Sequence, residues 1–161
     1  MRTMKVNTAT RESDEQFKTD KYLRSAVTNG KARLDFIPEL FFTPLADTMA
    51  ANWLRQHSEY DGGSWSYWVI PHGVGGNIAP NSIQFITTQT GYIAPEGEVS
   101  ADAAGIIATL MIMNRLSWHV AEMGPQYDQI CRRLVSRQDA LKDYISIIHH
   151  PERHLIWRAI D

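Results

Sequence analysis

Apolar residues recur at helical spacing downstream of Thr43-Pro44, at positions 45, 49, 50, 53 and 54. Steps of three and four residues place these side chains on one face of a helix. Threonine is a favoured N-cap residue, and proline is tolerated in the first turn of a helix. The pattern therefore predicts a helix that begins near residue 44 and ends near Ser58, before the turn residues Asp61-Gly62-Gly63.

The period changes to two over residues 64–70, where Trp65 and Tyr67 point to one face and their neighbours to the other. A second stretch rich in β-branched and aromatic residues follows at 83–88, and residues 77–79 fit a short returning strand. The connections are too short for a parallel crossover, which needs roughly a dozen residues or more. The middle of the chain therefore predicts a small antiparallel sheet of about three strands.

The most apolar segment spans residues 101–116, and it predicts a helix that is buried on most sides. Ser100 is a candidate N-cap for this helix. Asp102 places a negative charge in the first turn, where the helix dipole favours it. Gly124-Pro125 is expected to end the helix.

Three further apolar stripes at helical spacing follow, at residues 127–134, 141–148 and 155–160. Ser136-x-x-Asp139 resembles a capping box, so it predicts a helix boundary between the first two stripes. Pro151 predicts a break before the last short helix. The order of helix, strands and then helices indicates a single α+β domain, in which a small antiparallel sheet is packed by several helices.

Residues 1–33 are polar, and their few apolar side chains are scattered. We expect them to form a partly disordered N-terminal arm with at most one short helix near residues 20–27, and the compact domain to span residues 34–161. The arm carries eight Lys and Arg against four Asp and Glu, a net charge of +4. This charge keeps open an alternative function, a DNA-binding accessory protein of a plasmid, phage or genomic island.

The whole chain is close to electroneutral, with 16 Lys and Arg against 18 Asp and Glu in 161 residues. Such a balance offers no source of non-specific clamping onto nucleic acid, so DNA binding by the domain is not expected. Duplex DNA carries about one negative charge per 1.7 Å of its axis. A net charge of −2 cannot imitate that density, so the composition also excludes a DNA mimic.

The cysteine content and the hydropathy indicate where the chain resides. Cys131 is the single cysteine, so no internal disulfide can form, which is typical of a reducing compartment. The longest apolar stretch, residues 103–113, is shorter than the about 20 residues that span a bilayer. The polar N-terminus lacks the apolar core of a secretion signal. We therefore expect a cytoplasmic protein without a membrane segment.

No histidine or cysteine pattern favours catalysis or a metal. His150 and His154 are four residues apart, but the glutamate does not directly follow the first histidine as it does in the metalloprotease motif. Pro151 also places His150 outside the helix, so a solvated helix start is favoured over a His-dependent metalloenzyme. Cys131 lies in an apolar stripe, which favours core packing over a nucleophile.

Two further patterns have simple structural interpretations. The Gly73-Val74-Gly75-Gly76 segment lacks the Gly-Lys-Ser/Thr end of a P-loop and precedes a strand, so it predicts a turn. Asp102 and Asp143 fit a helix start and a solvated helix face better than a pair of acids in a cleft. We therefore expect no catalytic residue, no cofactor and no metal site.

Three aromatic residues lie close together at Trp65, Tyr67 and Trp68. Such a cluster can stack the bases of single-stranded nucleic acid, but those platforms also carry basic residues. Residues 59–70 contain no Lys or Arg. Core packing on one face and contact with a protein partner on the other is therefore favoured.

Several blocks of the chain, in this order, are similar to signature segments of the ArdB/KlcA antirestriction protein family. They are Asp35-Phe36-Ile37-Pro38; residues 59–67, EYDGGSWSY; Ile78-Ala79-Pro80; residues 100–110, SADAAGIIATL, followed by Asn114 and Leu116; and, near the end, Leu141-Lys142-Asp143-Tyr144, His150-Pro151-Glu152 and Arg158-Ala159-Ile160-Asp161. The resemblance covers residues 34–161, although the hairpin tip after Gly75-Gly76 and residues 117–137 match only loosely.

This resemblance implies a small α+β protein of plasmids, phages or genomic islands that protects incoming DNA from type I restriction-modification enzymes of the host. Members of the family are not regarded as catalysts, so no catalytic residue and no cofactor is implied. Combined with the near-neutral charge, the resemblance favours inhibition through a protein–protein contact with the restriction enzyme, or through an indirect effect on it, rather than DNA mimicry.

Exposed aromatic residues anchor protein interfaces more often than exposed charges do. We therefore predict two candidate partner-binding regions, one beside the glycine turn at residues 62–63 and one in the C-terminal block. Their residues are Tyr60, Asp61, Trp65 and Tyr67 in the first region, and Asp143, Arg158 and Asp161 in the second.

Overall fold

Helices and two small antiparallel sheets make up the part of the chain that the computed structural model describes, which is residues 5–7, 20–57, 65–70, 83–88, 91–94 and 97–161. The α-helices are α1 (Gly30–Phe41), α2 (Leu45–His57), α3 (Ala101–Glu122), α4 (Asp128–Ile147) and α5 (Arg153–Ile160). The strands are β1 (Lys5–Asn7), β2 (Ser25–Ala26), β3 (Ser66–Val69), β4 (Gln84–Thr87), β5 (Gly91–Ala94) and β6 (Gly97–Val99). The α+β class predicted from the sequence is confirmed.

The predicted three-stranded antiparallel sheet is present, with the strand order β2-β3-β4. β3 pairs directly with β4, from Ser66 opposite Thr87 to Val69 opposite Gln84. Its third strand is β2, which comes from the N-terminal part of the chain, whereas the strand expected at residues 77–79 lies outside the described residues. A second sheet, β1-β5-β6, was not predicted; its first strand lies in the segment that was expected to be a partly disordered arm.

Helix α3 lies at the centre of the fold, in contact with α2, α4, α5 and β4. At Gly105 the helix backbone approaches β4 so closely that an added Cβ would collide with the Cα of Thr87 and lie 2.9 Å from its Cβ. One turn further, the Thr109 hydroxyl donates to the Gly105 carbonyl at 2.8 Å and accepts from the Ile86 amide at 3.3 Å. A small residue and a hydroxyl thus allow the helix to pack directly on the sheet.

The predicted starts of α2 and α3 are confirmed by their caps. Thr43 Oγ1 accepts from the Leu45 amide at 3.2 Å, and Ser100 Oγ accepts from the Ala103 amide at 3.1 Å. The expected core position of Leu45 is wrong, since this residue is 67% exposed and Ala46 is buried in its place. The helix is therefore rotated so that its first leucine points toward solvent.

The helix boundary predicted at Ser136-x-x-Asp139 is also wrong, because residues 128–147 form one continuous helix. This segment contains neither glycine nor proline. Leu134, Leu141 and Ile145 are all buried, so the two predicted apolar stripes form one face that packs on α3. The predicted break at Pro151 is confirmed, since α5 begins two residues later.

The segment before residue 34 contributes to the core. Tyr22 is buried, and α1 already begins at Gly30, where Asn29 Oδ1 accepts from the Ala32 amide at 3.1 Å. Asn29 is therefore the N-cap residue of α1. No helix of the described residues is both long and apolar enough to cross a membrane.

Candidate functional site

A buried cluster of ionisable side chains lies where the N-terminal segment meets the C-terminal helices, and we call Arg24, Asp102, Tyr144 and His150 the Asp102 cluster. The guanidinium of Arg24 donates to both carboxylate oxygens of Asp102, from Nη2 to Oδ2 at 3.3 Å and from Nη1 to Oδ1. His150 Nε2 lies 2.9 Å from the same Oδ2. The side chains of Arg24 and Asp102 are 0% and 5% exposed, so the pair is shielded from water.

Aromatic rings surround the guanidinium of Arg24. Its Cζ lies 4.8 Å from the ring centroid of Phe85 and 5.3 Å from that of Trp68. Arg24 also donates to the Tyr144 hydroxyl from Nη2 at 2.8 Å, and this hydroxyl donates to the Tyr22 carbonyl at 2.6 Å. The positive charge of the Arg24 guanidinium is therefore stabilised by a carboxylate, by a phenol hydroxyl and by the faces of aromatic rings.

A left-handed residue at the end of α4 brings His150 into the cluster. His149 has φ 52°, and its amide donates to the Ser146 carbonyl at 3.1 Å. The His150 amide donates to the Ile145 carbonyl at 3.1 Å. These two bonds form a Schellman motif, which turns the chain sharply and points His150 back at the start of α3.

The hydrogen bonds assign the tautomer of His150. The Glu152 amide donates to Nδ1 at 3.1 Å, so Nδ1 acts as an acceptor and the proton resides on Nε2. Nε2 then donates to Asp102. The imidazole thus links the carboxylate in α3 to the backbone at the start of α5.

Glu152, which is not part of the Asp102 cluster, also connects the start of α5 to the start of α3. Its Oε2 accepts from the Ser100 amide at 2.9 Å, and its Oε1 accepts from the Ser100 hydroxyl at 2.6 Å. Ser100 in turn caps α3. The chain before α5 therefore stabilises the N-terminus of α3, where a carboxylate is also favoured by the helix dipole.

The cluster shifts the pKa values of its members in opposite directions. Burial acts to raise the pKa of Asp102, but the charge of Arg24 and the hydrogen bonds from His150 and Arg24 outweigh it and lower this pKa below its ordinary value. Burial raises the pKa of the Tyr144 phenol to about 12, against the opposing effect of Arg24. At neutral pH the Asp102 carboxylate is therefore charged and the Tyr144 phenol is protonated.

The geometry of this cluster suits a structural role. An aspartate–histidine pair is also the orienting half of many catalytic triads, but here the His150 side chain is fully buried and both ring nitrogens are engaged within the fold. The interpretation of Asp102 as a simple helix-start charge was incomplete, since the residue joins segments that are distant in sequence. The signal that could have revealed this was an acidic residue in the segment 101–108, whose other residues are all apolar or glycine.

The described residues contain no group of three or more His, Cys, Asp or Glu side chains that could hold a metal ion. The solvated helix start predicted for His150 and His154 is wrong for His150, which is fully buried, whereas His154 is exposed. Cys131 is partly buried, and its thiol donates to the Ser117 carbonyl at 3.4 Å.

Within the first candidate partner-binding region, the structure describes Trp65 and Tyr67. Trp65 is buried, and its Nε1 donates to Asp47 of α2. Tyr67 is half-buried, with its ring centroid 4.9 Å from that of Phe36 in α1. Tyr60 and Asp61 lie outside the described residues, so this region remains a prediction.

The second candidate region is spread over two helices. Asp143 is exposed on α4, directly before the buried Tyr144. Arg158 and Asp161 are exposed at the end of α5. Trp65 and Tyr67 pack against α1 and α2 instead, so the predicted residues belong to different elements rather than to one assembled site.

Comparison with known proteins identifies the class. Residues 58–161 match the family model described as antirestriction protein. The chain belongs to this family.

Individual relatives are similar over most of their length. The chain is 31% identical to the antirestriction protein KlcA of Escherichia coli over 146 residues, which cover 88% of the chain and 97% of that relative. A second KlcA protein of Escherichia coli is 32% identical over 135 residues, or 80% of the chain and 87% of the relative. The putative antirestriction protein YubI of Escherichia coli K12 is 34% identical over 132 residues, or 80% and 89%.

Proposed function

We propose that this protein is a non-catalytic inhibitor of the host's type I restriction-modification enzyme, carried by a plasmid, prophage or genomic island and acting in the cytoplasm. It protects incoming DNA by contact with the enzyme rather than by imitating DNA. Membership of the antirestriction family supports the biological role. The near-neutral charge of the chain is the single observation that carries the mechanism.

The charges of α4 illustrate this observation. Over its 20 residues, α4 carries three Asp against three Arg and one Lys, a net charge of +1. A helix of this length is about 30 Å long, and the same length of duplex DNA carries roughly 18 phosphates. The exposed face of the helix therefore lacks the carboxylate series that a DNA mimic requires.

The enclosure of the Asp102 cluster supports a non-catalytic protein. Its one Asp–His pair is buried, and the remaining hydrogen-bonding groups of the imidazole and carboxylate contact other parts of the same chain. A substrate would have to displace Arg24 or the Glu152 amide to reach them. The pair therefore holds the fold together rather than binding a substrate.

The alternative of a DNA-binding accessory protein depends on the +4 charge of residues 1–33. Arg24 is one of the eight bases in that count, and its charge is neutralised inside the core by Asp102. A mobility-shift titration with full-length protein and with residues 1–19 deleted tests this alternative. Our proposal expects no shift of duplex DNA by either protein at physiological salt.

The proposed function is tested by plating unmodified phage on a strain with an active type I system, with and without this gene. Expression is expected to raise the plating efficiency toward that of a strain without restriction. An empty vector and previously modified phage are the controls. Unchanged plating of unmodified phage, with the protein verified as folded and expressed, would refute the proposal.

A further inference from the structure

A second feature of the described surface is an apolar groove at the opposite end of α3 from the Asp102 cluster, which we call the corner groove. It has a volume of about 590 Å³ and lies between the α1–α2 corner, the C-terminal half of α3 and the start of α4. Apolar side chains from all four helices line it, including Phe41, Phe42, Met49, Leu116, Val120 and Ile130. Neither candidate region predicted from the sequence includes these residues.

The apolar surface continues beyond the groove. Leu45 and Met123 line its edge and are 67% and 44% exposed. Exposed apolar side chains around an apolar groove are typical of a surface that binds another protein. The exposed apolar edge therefore fits a longer occupant that covers the groove and its rim.

Arg115 gives the groove a positive charge. His119 lies one turn further along α3, and no Asp or Glu is among the described lining residues. Arg137 lies behind the corner with its Cζ 4.5 Å from the Phe42 ring centroid, and its pKa is lowered by burial and by the nearby charge of Arg133. An occupant with carboxylates beside its apolar face is complementary to this setting.

The wall of the groove is held in a fixed shape. Phe42 has φ 65°, a left-handed conformation that is unfavourable for a non-glycine residue. Arg137 maintains it by donating to the Glu39 carbonyl at 3.0 Å and to the Leu40 carbonyl, which caps the C-terminus of α1. A preformed groove of this kind binds without first having to be ordered.

We propose that the corner groove docks an amphipathic helix of the type I restriction enzyme, whose apolar face fills the groove and whose flanking carboxylates pair with Arg115 and His119. Helices dock in such grooves through apolar residues at positions i, i+3 or i+4, and i+7. Met49 and Met123 suit this role because methionine adapts its shape to a partner. The inference rests on the proposed function and names the contact through which it acts.

The first test is a set of charge variants in the phage-plating assay. Leu45→Glu and Arg115→Glu are expected to lower protection at least about tenfold, because each places a carboxylate where the proposed partner presents apolar or acidic side chains. Arg115→Lys is expected to retain protection because it keeps the charge. Leu34→Glu is the matched control, since Leu34 is 81% exposed on α1 and does not line the groove.

The second test replaces Leu45 or Leu34 with a photo-crosslinking phenylalanine derivative and mixes each protein with the purified type I enzyme. Cross-linking at position 45 to an acidic helical segment, with little at position 34, is expected. Equal cross-linking at both positions would overturn the groove as the docking site, and so would full protection by Leu45→Glu and Arg115→Glu. Absence of protection by the unmodified protein would instead refute the proposed function itself. Thermal melting of each variant verifies folding.

Discussion

Arg24 and Asp102 are 78 residues apart in the sequence, and their contact joins the segment before α1 to the first turn of α3. Burying two charges costs free energy that their mutual attraction repays only when the remaining hydrogen-bonding groups are satisfied. In this cluster Tyr144 and His150 supply those partners. At the scale of single residues, the fold therefore depends on keeping the network complete.

Removing the carboxylate is expected to leave Arg24 buried without a counter-charge. Asp102→Ala should lower the free energy of unfolding by about 3 to 5 kcal/mol, as measured by urea denaturation. Asp143→Ala is the control, because Asp143 is exposed and its removal should change stability by no more than about 0.5 kcal/mol. Similar unfolding midpoints for the two variants would contradict the structural role of the cluster.

Tyr144 predicts a loss of stability at alkaline pH. Its pKa in the folded protein is raised to about 12, whereas an unfolded tyrosine ionises near 10. The stability that this group contributes is therefore complete below about pH 10 and decreases as the pH rises toward 12, by about 2 to 3 kcal/mol in total.

Urea denaturation of the unmodified protein and of Tyr144→Phe, repeated from pH 8 to pH 11, measures this effect. The variant is expected to be less stable at pH 8, because Arg24 and the Tyr22 carbonyl lose a partner, but to lose less stability as the pH rises. Parallel pH profiles would show that Tyr144 ionises normally in the folded protein.

Among the secondary-structure elements, capping residues predicted where α2 and α3 begin, whereas tertiary packing determined that α4 is one continuous helix. The starts of α2 and α3 could be predicted because Thr43 and Ser100 bond to amides within three residues. The helix boundary predicted at Ser136 is absent because the buried side chains before and after it lie on one face of a single helix, which packs on α3. A capping sequence is a weak local preference that packing over 20 residues overrides.

Because α3 packs closely on β4, adding a methyl group at Gly105 is expected to destabilise the protein more than adding one at Gly30. Gly105→Ala should destabilise the protein by about 1 to 3 kcal/mol or more, since the new Cβ collides with the backbone of Thr87. Gly30→Ala is the matched control, because a Cβ at Gly30, in the first turn of α1, meets nothing within 4 Å. Thermal melting of both variants tests this prediction, and equal melting temperatures would show that α3 and β4 are not packed this closely.

For the whole molecule, the class of the fold could be predicted from the sequence, but the contacts between distant segments could not. Hydrophobic periods and caps predicted helices, an antiparallel sheet and an α+β order. The pairing of Ser25-Ala26 with β3 and the meeting of Arg24 with Asp102 depend on contacts over tens of residues, which no local pattern encodes. The corner groove could not be predicted from the sequence for the same reason, because its lining residues come from four helices.

The charge of the whole molecule gives the most direct test of the account. The affinity of the purified protein for a purified type I restriction enzyme is measured at 50 and 200 mM salt, with and without excess unlabelled duplex DNA. We expect a complex that DNA does not displace, with an affinity that changes by less than about tenfold between the two salt concentrations. Displacement by DNA together with a steep loss of affinity in salt would contradict it, because that is the behaviour of a protein that occupies the DNA-binding surface.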